Sequence, residues 1–181
     1  MKTGVAYGLA ARLLHWLVFV QIAAQYAVAW TMPDVGPGTR PTGLIAWHIS
    51  LGTLILLVMV ARVLWRLSHP APPAPDTLRP WLSTLSRLVH LLLYTVLLLL
   101  PLTGWGTASA RGWKVGLAGY VNLPALFKSG SRFGLALGDI HAATAIILLV
   151  LIGSHFAAAL YHHFVLKDQT LVRMLPRRGR F

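Results

Sequence analysis

The sequence predicts an all-α integral membrane protein built as a four-helix bundle. Of its 181 residues, 56% are hydrophobic and only 11% are charged, whereas a soluble domain carries about 25% charged residues. Four apolar stretches each reach the length of about 20 residues that a helix needs to cross a bilayer. The chain length fits one domain, so we expect a single membrane domain over residues 1–181.

The first of the four stretches could be mistaken for a signal peptide, because it combines the basic residues Lys2 and Arg12 with an apolar run and an Ala-x-Ala site at Ala27–Ala29. Its apolar part is longer than the roughly 7–15 residues of a signal-peptide core, so we expect it to stay in the protein as a span. Pro101 falls late in the third stretch and is a candidate for a kink. The predicted spans cover about 11–31, 44–65, 84–106 and 138–164.

The basic residues are distributed unequally between the two sides of such a bundle. With the N-terminus inside, eleven of the sixteen Lys and Arg residues lie on the inner side. This excess follows the positive-inside rule and predicts that both termini are cytoplasmic. It also accounts for the net charge of +12 without a nucleic-acid partner. The inner set is Lys2, Arg12, Arg62, Arg66, Arg79, Arg87, Lys167, Arg173, Arg177, Arg178 and Arg180, and the outer set is Arg40, Arg111, Lys114, Lys128 and Arg132.

The composition also restricts the kind of cofactor that the chain can hold. It contains no cysteine, which excludes disulfides, iron–sulfur clusters and covalent attachment of c-type haem. Any metal or cofactor must therefore be held by other side chains, and the chain has eight histidines. Ionisable residues inside a membrane span are costly and usually serve a function.

Two of these histidines, His141 and His155, lie in the fourth predicted span. Fourteen residues make nearly four helical turns, so both face the same side of the helix, about 21 Å apart along its axis. A metal ion holds its nitrogen ligands at about 2 Å, and the two rings therefore cannot share one ion. They can serve two separate sites, one above the other across the membrane.

Each of these sites needs a partner histidine at the same depth on another span. His15 lies near the inner end of the first span, level with His155, and His48 lies near the outer end of the second, level with His141. A haem held between two histidines fits each pair, because its large apolar ring buries well between helices. Small residues near the histidines would allow its close approach; they are Gly52, Ala142, Ala143, Gly153, Ala157 and Ala158.

Two other interpretations of these histidines remain open at this point. Each could form a hydrogen bond to a neighbouring helix and serve packing alone, or together they could line a proton relay or transport path. His90, in the third span, could replace His15 as a ligand, bind a quinone oxygen, contact a haem propionate or be structural. His162 and His163 lie at the membrane exit, and His69 lies in the inner loop, where we expect it to be solvated.

Several of these residues lie in motifs that resemble the prokaryotic cytochrome b561 family. The motifs are "RLLHWLVF", "WHISLG", "MVARVLWRLSHPAPP", "LVHLLLY" and the closing "HHFVLKDQTLVRMLP", and they are distributed over nearly the whole chain. The resemblance implies a bacterial inner-membrane protein with four spans and two b-type haems. Carried onto matching positions, the haem-iron ligands are His15, His48, His141 and His155.

The resemblance also implies two alternative functions. One branch of the family oxidises periplasmic superoxide to oxygen and passes the electron to ubiquinone; the other exchanges electrons between quinone and a protein partner. For the first, the outer basic residues Arg40, Arg111, Lys114, Lys128 and Arg132 would concentrate the superoxide anion, unless they are ordinary solvated loop charges. Quinone would bind near the inner haem, beside His90, Arg62 or Arg66. A non-redox, histidine-lined transporter is the alternative outside this chemistry.

Overall fold

The computed structural model describes residues 7–70, 72, 80–117 and 120–175. Four helices in this part of the chain are long and apolar enough to cross a membrane, as predicted. A short two-stranded hairpin lies between the last two helices. The elements are α1 (Leu9–Thr31), α2 (Leu44–Ser68), α3 (Pro80–Ala110), β1 (Val115–Leu117), β2 (Val121–Leu123) and α4 (Arg132–Phe164).

The helices are longer than the apolar runs from which they were predicted. α3 extends four residues beyond its predicted span at each end, and α4 begins at Arg132 rather than near 138. Ser131 caps the start of α4 by accepting a hydrogen bond from the Gly134 amide at 3.3 Å, which stabilises the part of the helix that precedes its apolar run. Pro101 lies inside α3, and the helix continues through it.

The centre of the bundle is a small apolar core with residues from all four helices. α1 packs on α2, α2 on α3, and α3 on α4. Many large apolar side chains of the four helices are exposed on the outside of the bundle, as expected for helices whose outer faces contact lipid. The core residues are Val18, Ile55, Met59, Leu97 and Leu148.

The hairpin is a departure from the purely helical fold that the sequence predicts. β1 and β2 pair antiparallel, with Val115 opposite Leu123. The hairpin packs against α2 and α3 at the end of the bundle away from the chain termini. A side chain at Gly116 would clash with the Val121 carbonyl oxygen, so only glycine allows the strands to approach this closely.

The opposite end of the bundle is covered by the segment that follows α4. Two side chains of α1 reach it: Arg12 Nη1 donates to the Leu175 carbonyl at 3.0 Å, and Trp16 Nε1 donates to the Met174 carbonyl at 2.9 Å. Residues 165–175 therefore pack against the start of α1. Of the basic residues used for the orientation prediction, Lys2, Arg79, Arg177, Arg178 and Arg180 lie outside the described residues.

Candidate functional site

The structure brings together the two pairs of histidines that helix depth predicts. The rings of His48 on α2 and His141 on α4 have centroids 6.0 Å apart with planes at 76°; we call them the hairpin-side pair. The rings of His15 on α1 and His155 on α4 have centroids 6.3 Å apart with planes at 64°; we call them the termini-side pair. His155 follows His141 by fourteen positions, which separates the pairs by about 21 Å along α4.

The spacing within each pair suits two imidazoles on opposite sides of one iron. With each ligating nitrogen about 2 Å from the metal, and each ring centre about 1 Å behind its nitrogen, the two centroids must lie about 6 Å apart. Both observed separations agree with this value. A direct contact between two histidines would bring the rings closer together. The donor set therefore fits a haem with two axial histidines.

The hairpin-side pair also lies in a cavity that suits an apolar macrocycle. The cavity is partly open to the surroundings, and most of its lining is apolar. Val115 and Leu123 of the hairpin form part of its wall, and so does Gly52. The other small residues singled out from the sequence are exposed. The other apolar residues that line the cavity include Ile22, Ile49, Leu56, Leu97, Leu100 and Leu148.

His141 is held in the form that can bind a metal. Its Nδ1 lies 2.9 Å from the Leu100 carbonyl oxygen, and since a carbonyl only accepts, Nδ1 carries the proton and Nε2 keeps its lone pair. Gly104 faces the ring so closely that a Cβ there would lie 2.9 Å from His141 Cε1. Neither support was recognised in the sequence, because a backbone carbonyl and a glycine carry no distinctive signal.

His48 has a different neighbour, which sequence analysis also missed. Gln25 Nε2 lies 3.1 Å from His48 Nδ1 and donates to the His48 backbone carbonyl at 3.0 Å. Gln25 Oε1 is buried without a partner among the described residues. A polar amide in a spanning helix is costly unless it is bonded, and within the described residues only the nitrogen of this amide is bonded.

The termini-side pair has charged and polar neighbours. Arg62 Nη2 lies 3.1 Å from His15 Nδ1, and Arg62 Nε donates to the Tyr94 hydroxyl at 3.2 Å. The sequence-predicted Arg66 is exposed one turn further along α2. His90 lies on the other side, with its ring centroid 5.2 Å from that of His155. Its Nδ1 donates to the Ser86 carbonyl at 2.6 Å.

The basic residues on the hairpin side do not form one group. Lys114 and Lys128 line the same open hollow. Arg111 instead joins two loops, because its Nη1 donates to the Gly36 carbonyl at 3.1 Å and its guanidinium lies 5.4 Å from the Trp113 ring. Arg40 and Arg132 are exposed, and neither lines the hollow.

The remaining histidines lie near the end of the bundle that holds the termini. His162 Nδ1 pairs with the Asp168 carboxylate. Partial burial alone would raise the pKa of that carboxyl, but hydrogen bonds from His162 and Thr170 outweigh it and hold the pKa below its ordinary value. His163 contacts Phe164. His69 is exposed, as expected, but its ring stacks on Trp65 at 3.8 Å.

Known proteins resemble this chain along nearly its whole length. The family model for prokaryotic cytochrome b561 matches residues 6–177. This chain belongs to the prokaryotic cytochrome b561 family. It is therefore a multi-pass membrane protein for electron transfer, and the family implies haem b as its cofactor. Membership favours the redox interpretation of the histidines over the transporter.

Relatives within the cytochrome b561 family cover almost the whole chain. The protein is 31% identical over 169 residues to the probable superoxide oxidase CybB of Yersinia pestis. The matched region covers 91% of this chain and 93% of the relative. It is 32% identical to cytochrome b561 homolog 1 of Escherichia coli strain K12, covering 91% and 94%. It is also 32% identical to cytochrome b561 homolog 2 of the same strain, covering 97% and 94%.

Proposed function

We propose that this cytochrome b561 protein is a superoxide oxidase that binds two b-type haems and passes electrons from superoxide to ubiquinone. The observation that carries the proposal is the presence of two histidine pairs, each with the ring spacing of a shared iron. Stacked along α4, the pairs supply one site near each membrane surface. The name of the Yersinia pestis relative supports the choice of substrate.

The proposed ligands are His48 with His141 and His15 with His155. His90 fits less well as a replacement for His15, because its ring lies 5.2 Å from that of His155, about 1 Å less than an intervening iron requires. Each haem b, when bound, supplies a reversible one-electron site. The side chains around the pairs hold the cofactor and set the charge and polarity of its surroundings.

In the proposed orientation both termini face the cytoplasm of a bacterium and the hairpin faces the periplasm. The excess of basic residues on the side of the termini supports this orientation. Superoxide would therefore meet the hairpin side. Ubiquinone would be reduced on the termini side, near the donors of Arg62 and His90, with exposed Arg66 a turn away.

The hollow lined by Lys114 and Lys128 is the proposed place where superoxide arrives. Val115 and Leu123 line both this hollow and the cavity of the hairpin-side pair. One layer of side chains thus separates an anion in the hollow from the proposed haem. Two ammonium groups would raise the local concentration of a small anion and its on-rate.

The proposed reaction balances without an acid, a base or a nucleophile at the superoxide site. Two superoxide anions each give up one electron and leave as dioxygen. One ubiquinone takes the two electrons and two protons and becomes ubiquinol. The protons are taken up where the quinone is reduced, so the hairpin side needs only to attract the anion and exclude competing reactions.

The direct test is to mix the purified haem-loaded protein with a pulse of superoxide and to follow haem reduction in the visible spectrum. We expect fast reduction that slows as salt is added. The double variant K114Q/K128Q should lower the rate at low salt about tenfold or more, while R132Q, which removes an exposed charge outside the hollow, should change it little.

Other outcomes of this test would identify a different function. Haem that is reduced by quinol but not by superoxide would indicate a cytochrome that serves a protein partner. A colourless protein, even with haem supplied during expression, would contradict both redox functions.

A further inference from the structure

Gln25 occupies an unusual position for a neutral polar side chain, in the membrane-spanning part of α1 and against a proposed haem ligand. Its amide nitrogen contacts two atoms of His48, the ring Nδ1 at 3.1 Å and the backbone carbonyl oxygen at 3.0 Å. Its amide oxygen is buried and has no partner among the described residues. One half of the amide is therefore used, and the other half is available.

The proton on His48 decides whether the ring can bind a metal. In the observed contact the Gln25 amide nitrogen is a donor, so it is matched by a His48 ring whose Nδ1 accepts and whose Nε2 carries the proton. Binding iron through Nε2 needs the opposite form, with the proton on Nδ1 and an acceptor facing it. His141 already has this arrangement through the Leu100 carbonyl. His15 does not, because Arg62 Nη2, which can only donate, lies 3.1 Å from its Nδ1, and this contact must open as well for His15 to bind iron through Nε2.

A half turn of the Gln25 amide would supply the acceptor that His48 lacks. The turn exchanges the amide nitrogen and oxygen, so Oε1 would come to face Nδ1. The amide must also move away from the His48 carbonyl, because two oxygens would otherwise repel each other. Gly52 is the neighbour on α2 at this point: a Cβ there would lie 3.5 Å from Gln25 Nε2, and glycine leaves that space open for the movement.

We propose that Gln25 is a positioning residue for the hairpin-side haem: its amide oxygen accepts the Nδ1–H of His48 and so fixes the ring in the form that ligates iron. This inference rests on the proposed function only in taking His48 as a haem ligand. The buried, unpartnered Oε1 is the observation that favours an acceptor role over packing alone.

The test compares variants that remove or strengthen the acceptor. Q25L, or Q25M if Q25L does not express, removes it, and Q25E replaces it with a carboxylate. An acceptor at Nδ1 raises the basicity of the imidazole and stabilises oxidised iron. We therefore expect Q25L to raise the midpoint potential of the hairpin-side haem and Q25E to lower it. Loss of the acceptor should also weaken haem retention there by about 10–100-fold.

Gln21 provides a matched control on the same helix, one turn away. It is buried, and its Oε1 is likewise unpartnered within the described part of the chain. Its side chain makes no hydrogen bond to a histidine in that part, so Q21L removes a buried amide without touching a proposed ligand. Q21L should leave both haem potentials unchanged.

Redox titration of the full-length, haem-loaded protein distinguishes the outcomes, with the two haems assigned by comparison with H141A and H155A. Opposite shifts for Q25L and Q25E at the hairpin-side haem would support the proposal. A wild-type protein with two haems, and Q25 variants that shift nothing, shift in the same direction or match Q21L, would overturn the role of Gln25 and leave the proposed function intact. A wild-type protein without a haem at His48 and His141 would overturn both.

Discussion

The hairpin-side and termini-side pairs share α4 and have nearly the same ring spacing, but their surroundings differ. The hairpin-side pair has neutral partners, the Leu100 carbonyl at His141 and the Gln25 amide at His48. The termini-side pair has the guanidinium of Arg62 3.1 Å from His15. A cation near a redox centre disfavours the more positive, oxidised state. The haem proposed for the termini-side pair should therefore have the higher potential, which favours electron flow from the hairpin side to the termini side.

Removing one histidine from each pair in turn is expected to have the largest effect, and it tests whether the hairpin-side and termini-side pairs are separate sites. H141A and H155A should each lower the haem content from two per chain to one, because in the proposed function each pair would hold a different haem. Both variants should lose electron transfer from superoxide to quinone. Haem quantitation and redox titration of the two variants would identify the two potentials separately. If either variant kept both haems at wild-type affinity, the pairing would be wrong.

The second prediction concerns the space around the His141 ring. G104A places a methyl group 2.9 Å from His141 Cε1, and the ring cannot move without weakening its bond to Leu100. Overpacking of this kind costs about 1–3 kcal/mol, so we expect about a tenfold or larger loss of haem affinity on the hairpin side. Haem titration of the apoprotein measures it.

Gly153 provides the control for G104A. It lies on α4, two residues before His155, and a Cβ there would meet no atom within 4 Å. G153A should leave the hairpin-side haem unchanged. Equal losses for the two variants would mean that Gly104 matters for the helix rather than for His141.

Arg62 tests the electrostatic half of the comparison. R62Q removes the positive charge beside His15 but keeps a hydrogen-bond donor. The midpoint potential of the termini-side haem should fall, by about 59 mV for each tenfold change in a one-electron equilibrium, while the hairpin-side potential changes little. R66Q, at an exposed position one turn away, is the control. A fall of equal size in both potentials would point to a general effect on folding.

The sequence predicts the parts of this comparison that follow from helix geometry. Apolar runs locate the four helices, and the spacing of His141 and His155 predicts two separate sites on one face. The neighbours of the rings could not be predicted in the same way. Gln25 and Gln21 look equivalent in the apolar segment "QIAAQYA", and only their three-dimensional contacts distinguish them.

Two features of the connecting segments also escaped prediction, for physical reasons. The strands of the hairpin are three residues each, too short to show the alternation that marks a strand. The count of basic residues predicts a cationic outer surface, but it does not show that the Arg111 guanidinium donates to the Gly36 carbonyl and lies over the Trp113 ring. Among the basic residues that the structure describes, only Lys114 and Lys128 line the hollow beside the cavity.

The smallest predicted effect concerns Asp168, in the segment that covers the termini side. Its pKa is lower in the folded protein than in an unfolded chain, so its contribution to docking of residues 165–175 is present above the ordinary Asp pKa of about 3.9 and is lost as the pH falls through the folded value. The site is partly solvated, and the contribution is correspondingly small. D168N imitates the protonated carboxyl and should produce the same weakening at neutral pH.

Hydrogen exchange of the Thr170 amide measures this effect directly, because that amide donates to Asp168 Oδ1 at 2.8 Å. We expect faster exchange in D168N and, in the wild type, faster exchange after acidification than the intrinsic pH dependence explains. D34N, at an exposed loop position on the hairpin side, should exchange like the wild type. Unchanged exchange in D168N would mean that Arg12 and Trp16 hold residues 165–175 in place without the Asp168 carboxylate. Docking of this segment would then depend on its contacts with α1 alone.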